Sequence, residues 1–159
     1  MSLKILFTFI LFYLLLSISK EDMKYMIISE NKLRITAVCG ITYLLCIGLT
    51  DNKISTMNLI INNIYAMIII FIMMYSISYI SYKLIRINSL GLGDIKLSSI
   101  SSLWLGIEFT FISLFISFLL SAIYSIYGKT TKGFKSFQQY PFAPFLSIGI
   151  FCSWILDKI

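Results

Sequence analysis

"DIKLSSISSLWLGIEFTFISLFISFLLSAIYSIY", residues 94–127, is the stretch whose reading decides the fold. As one helix it would rise about 51 Å at ~1.5 Å per residue, well beyond the roughly 30 Å hydrocarbon layer of a bilayer. It would also leave Glu108 near the bilayer centre, where a carboxylate is costly. A turn around Gly106–Glu108 removes both difficulties, so the sequence predicts two spans here, 94–106 and 109–127.

The rest of the chain supports a membrane setting. Of its 159 residues, 58% are hydrophobic and 13% charged, and the mean hydropathy is +0.91. Soluble domains carry roughly a quarter charged residues. The expectation is one all-α, polytopic membrane domain over 1–159. Four further spans are read at 3–19, 33–50, 57–82 and 141–156, giving a bundle of about six transmembrane helices.

Charge sets the expected sidedness. Lys20, Lys24, Lys32 and Arg34 fall in loop 20–34, Lys83, Arg86 and Lys96 in loop 83–96, and Lys129, Lys132 and Lys135 in loop 128–140. The other side has Lys4, Lys53 and Lys158. Basic residues favour the cytoplasmic side, so this alternation predicts both termini outside. The N-terminal run imitates a secretory signal peptide, but its removal would place the basic 20–34 loop outside, against the charge pattern. The net charge of +6 is spread between apolar spans and forms no basic face, so no nucleic-acid partner is expected.

Candidate chemistry is narrow. There is no histidine, which removes Ser-His-Asp and Cys-His catalysis and His-ligated zinc. Cys39, Cys46 and Cys152 lie singly in apolar segments, as small hydrophobes do. No metal or cofactor site is expected, and hydrolytic chemistry falls to carboxylates, or to lysine with serine. Asp94 stands out because it opens an apolar span within "NSLGLGDIKL", residues 88–97. By the span count Glu21, Asp22 and Glu30 share its side, whereas Asp51, Glu108 and Asp157 lie opposite. Asp22 closely follows the first span, so Asp22 and Asp94 can meet at one depth. Two carboxylates in one low-dielectric site cannot both ionise cheaply. One then donates a proton while the other accepts one from water, the minimum for aspartic proteolysis. The structural alternative makes Asp94 a helix N-cap with Gly93 as turn residue, and Asp22 a solvated acid among lysines.

"GLGDIKL" (91–97) followed by "WLG" (104–106) resembles the Gly-x-Gly-Asp motif of bacterial type IV prepilin peptidases, and "DMKYMIISENKL" (22–33) resembles that family's first catalytic segment, with Asp22 and Ile28 at the family spacing. "YPFAPFLSIG" (140–149) is similar to its C-terminal Pro-Phe-Gly-Pro-Phe stretch. The chain departs from the pattern at Ser29 and Glu30, where proline and then asparagine or aspartate are usual, and at Ala143, where glycine is usual.

The resemblance implies Asp22 and Asp94 as catalytic acids of a short, peptidase-only form, without the Cys-x-x-Cys segment tied to N-methylation. It implies cleavage of a short basic leader from a membrane-inserted prepilin or pseudopilin precursor, after a glycine, at the cytoplasmic face of the plasma membrane. Gly91 and Gly93 would let a substrate strand pass close to Asp94 or form a tight turn. Lys96 would tune the acid pair or reach to the interface. Pro141 and Pro144 would shape the start of the last helix, and Asn62 and Asn63 would hydrogen-bond between helices. The presenilin and signal-peptide-peptidase type shares Gly-x-Gly-Asp, but Glu21 stands before Asp22 here and no Pro-Ala-Leu occurs. An ion-coupled transporter using Asp94, and an inactive homologue acting in pilus or secretion assembly, are the other readings.

Overall fold

The structure, a computed structural model, describes residues 2–50, 56–86, 90–131 and 139–158, excluding the side chains of Ser2, Ile85 and Lys158. Asp51, Lys53, Lys132 and Lys135 lie outside the described residues. The described residues form five helices and no strand: α1 (Ser2–Tyr25), α2 (Glu30–Thr50), α3 (Thr56–Ile85), α4 (Leu92–Thr131) and α5 (Ala143–Lys158). The first four are long and apolar enough to cross a membrane, and α5 is a shorter apolar helix.

The outer surface carries large apolar side chains, among them Phe9, Tyr13, Ile72 and Phe115, while Ser98, Ser99, Ser101, Ser102, Ser113 and Ser117 are buried. Apolar outside with small hydroxyls inside suits helices packing in lipid, where small residues let backbones approach.

The 94–127 stretch divides at Gly106, where the sequence predicts a turn, into two helical arms. It lies within α4, which is 40 residues long and is interrupted at one residue, Gly106 (φ 70°, ψ −178°). That combination is essentially open to glycine alone. The break is one residue wide, so helical hydrogen bonding resumes without a loop. A carbonyl near the break finds a partner on α3, Asn63 Nδ2 donating to Leu103 O at 3.2 Å, and in the next turn Thr110 Oγ1 donates to Gly106 O. The last carbonyls of a helix need such partners, which accounts for an asparagine in the apolar α3. Asn62, by contrast, is exposed.

Neighbouring contacts show that the two arms of α4 run in opposite senses. Before Gly106, Lys96 meets Glu30 and Trp104 Nε1 donates to Thr36 O, so this arm ascends beside α2. After it, Phe118 packs on Phe142 and Ser121 bonds Tyr140, so the second arm returns towards the start of α5. The C-terminal ends of α1 and α3, the start of α2 and both ends of α4 therefore gather at one end with the start of α5. Away from that end, Phe7, Tyr43, Trp104 and Trp154 interlock, joining α1, α2, the first arm of α4 and α5. Trp154 Nε1 also donates to Thr8 Oγ1, fixing α5 antiparallel to α1.

Among the helix starts and ends that differ from the sequence reading, two bear on the site. α1 continues past residue 19 to Tyr25, because Lys20, Glu21 and Asp22 are polar without being helix breakers. Asp22 thus lies on a helix, not in a loop. α5 begins at Ala143 rather than 141, with Pro144 in its first turn.

Candidate active site

Asp22 sits on the last turn and a half of α1 and is 5% exposed. Its helix closes with Met26 N donating to Asp22 O at 2.8 Å, and Met26 adopts a left-handed φ of 53°. The carboxylate points at the start of α5, where Ala143 N donates to Asp22 Oδ2 at 3.0 Å and the Phe142 amide lies beside it. A helix N-terminus has free amides and a positive dipole end, so a carboxylate there is well placed. Asp22 is therefore not a solvated acid among lysines.

Asp94 is the third residue of α4. The sequence alternative of an N-cap is corrected: Asp94 lies inside the helix and its carboxylate leans back towards Gly91, whose amide it faces. This is the reach-back position of a capping box. Asp94 Oδ1 is buried and has no hydrogen-bond partner among the described residues. Three serine hydroxyls share that condition among the described residues, those of Ser102, Ser113 and Ser153. Asp94 is near enough to Asp22 for their charges to interact.

The two acid-bearing segments are joined by a close contact. A Cβ on Gly93 would stand 3.0 Å from Ile28 Cβ and 3.2 Å from Ile28 Cδ1. Gly93 is thus the seat of Ile28, which is itself buried. That leaves Gly91, which is exposed, as the glycine open to an approaching chain. A Cβ on Gly91 would lie 3.2 Å from Asp94 Oδ2.

Lys96 points away from the acids and pairs with Glu30, which also pairs with Arg34. A groove of about 410 Å³ between α2, α3 and the first arm of α4 is lined by Leu33, Met67, Phe71 and Ile100 together with Glu30 and Lys96. Neither aspartate lines it. Among the described residues no three His, Cys, Asp or Glu side chains converge as metal ligands do, and Cys39, Cys46 and Cys152 are free.

The contribution of α5 is what sequence reasoning missed. Pro141 and Pro144 signalled a helix start, but nothing in the residues says that its first amide faces Asp22.

No curated protein and no solved structure matches the chain. The model of the type IV leader peptidase family matches residues 9–126, a range that holds both aspartates, Ile28 and Gly106 and stops short of the 140–149 stretch. With apolar helices fit to span a bilayer and most of its length matched, this chain belongs to the type IV leader peptidase family.

Proposed function

We propose that the protein is an aspartic endopeptidase of the plasma membrane, which removes the short basic leader of a pilin-like precursor by means of Asp22 and Asp94. The observation that carries this reading is the convergence of two carboxylates from distant segments, Asp22 buried and Asp94 with one buried oxygen, Oδ1, that has no hydrogen-bond partner among the described residues. A purely structural acid would have that oxygen bonded.

In the proposed reaction one carboxylate takes a proton from water as the oxygen attacks the scissile carbonyl carbon. The other carboxyl group gives its proton to the carbonyl oxygen. The tetrahedral intermediate then collapses, the C–N bond breaks, and the leaving amine receives a proton from the pair. No covalent enzyme intermediate forms. The two groups act as a unit, so the steps are assigned to the pair.

We read α1, α2, α3, the two arms of α4 and α5 as six crossings, with both termini outside and the acid pair at the cytoplasmic face. The gathering of Lys20, Lys24, Arg34, Lys83, Arg86 and Lys129 at the Asp22 end supports this sidedness. A precursor with a basic leader and an apolar helix would hold its leader on that same side.

The test is reconstitution in liposomes with a precursor carrying a basic leader, a glycine and an apolar helix, with products read by mass spectrometry. The expected product begins immediately after the glycine, and Asp22→Asn and Asp94→Asn each abolish it. An intact precursor with the wild type, or normal processing by either variant, would overturn the reading.

A further inference from the structure

We propose that Glu21 and Lys32 are positioning residues, clamping the turn at 26–29 so that Ile28 seats on Gly93 and holds Asp94 beside Asp22. The inference rests on the peptidase reading above only for its effect on rate; the clamp itself is a matter of geometry.

The turn, Met26-Ile27-Ile28-Ser29, has no glycine, proline, asparagine or aspartate, and Ser29 is its one residue of a turn-favouring type. It begins with Met26 in the left-handed region, which a residue with a long side chain does not favour. Met26 and Ile27 are exposed, at 58% and 68%, and give it no burial of their own. Something outside the turn must hold it.

Glu21 does so. Its Oε2 accepts the Ser29 amide at 3.3 Å and pairs with Lys32 Nζ at 3.2 Å. The same Lys32 ammonium donates to Ser17 O at 2.8 Å. One carboxylate thereby ties the far side of the turn, the first turn of α2 and the last turns of α1 together. The pair is half-buried, its side chains 24% and 30% exposed, so its geometry is better fixed than that of a solvated surface pair.

Ser29 is what makes the Glu21 contact possible. Proline at that position has no amide hydrogen and fixes its own φ, so a turn carrying it would not need the Glu21 acceptor. With serine there, the amide is free to be held and the turn needs holding. Ile28, fixed by the turn, then meets Gly93 at the start of the helix that carries Asp94.

The clamp predicts a suppressor. Nitroxide labels are placed at Tyr25→Cys and Leu92→Cys, both exposed, in a full-length chain with the native cysteines replaced by alanine. Inter-label distances are measured in lipid nanodiscs without substrate, and precursor cleavage is measured in parallel. The clamped chain should give one narrow distribution. Glu21→Ala should broaden it and lower kcat about 10- to 100-fold, as misplaced catalytic groups do, with KM changed less than about twofold. Adding Ser29→Pro should narrow the distribution again and restore most of kcat.

A Glu21→Ala chain as narrow and as active as its parent would overturn the clamp. So would broadening that Ser29→Pro leaves in place. Should Glu21→Ala fail to accumulate, Lys32→Met breaks the same pair and is read the same way. Distances that respond in a chain cleaving nothing would sink the peptidase reading and leave the clamp standing.

Discussion

Asp94 combines a buried oxygen that has no partner among the described residues with a second carboxylate near by. At the scale of single residues that combination has direct consequences. Asp22→Asn and Asp94→Asn should each lower kcat by about three orders of magnitude or more, since general acid and base contribute roughly 10²–10⁴-fold each and here act together. Membrane levels should be unchanged, as judged by quantitative immunoblotting beside a cleavage assay. Gly91→Ala would place a methyl 3.2 Å from Asp94 Oδ2, so it should slow cleavage while leaving thermal unfolding close to that of the parent. The approach of Asp22 to Asp94 was legible from the residues, because an acid opening an apolar span asks for a partner. Lys96 was not, since its pairing with Glu30 rather than with the acids depends on how α2 lies against α4. Gly93 was half legible: its smallness showed that something comes close, but Ile28 as the neighbour is a tertiary fact.

At the scale of elements, α4 is decided by Gly106. A φ of 70° with ψ near 180° is costly for any residue with a Cβ. Gly106→Ala should therefore destabilise the protein by about 1–3 kcal/mol, measured by thermal unfolding in detergent. Asn63→Leu removes the donor to Leu103 O and should cost about 1 kcal/mol by the same measurement, the usual net worth of one hydrogen bond. The break was legible because 94–127 is too long for one crossing. That it occupies one residue, with Asn63 serving Leu103 O, was not, since hydropathy records length and not hydrogen-bond partners. The reach of α1 to Tyr25 escaped for a related reason: apolar runs end where lipid ends, while helices end where backbone geometry changes, here at Met26.

Over the whole molecule, the aromatic cluster of Phe7, Tyr43, Trp104 and Trp154 fixes α1, α2, α4 and α5 relative to one another at a distance from the acids. Trp154→Ala should loosen that packing and cost about 3–5 kcal/mol, as large-to-small changes in a core do. The loss would be read as a lower unfolding temperature, with little change in cleavage at low temperature. All-helical architecture followed from composition alone, whereas the approach of α5 to Asp22 required the assembled bundle, because Ala143 N and Asp22 Oδ2 are joined by packing and not by sequence spacing.

The claim on which the account stands is that positions 22 and 94 face each other across one small site. It is tested most directly by Asp22→Cys with Asp94→Cys in a chain whose native cysteines are replaced, treated in intact membranes with a short thiol-to-thiol reagent and analysed by mass spectrometry. A high yield of the intramolecular 22–94 link is expected. Two singly labelled cysteines with no link between them, or labelling of the two positions from opposite faces of the membrane, would contradict it.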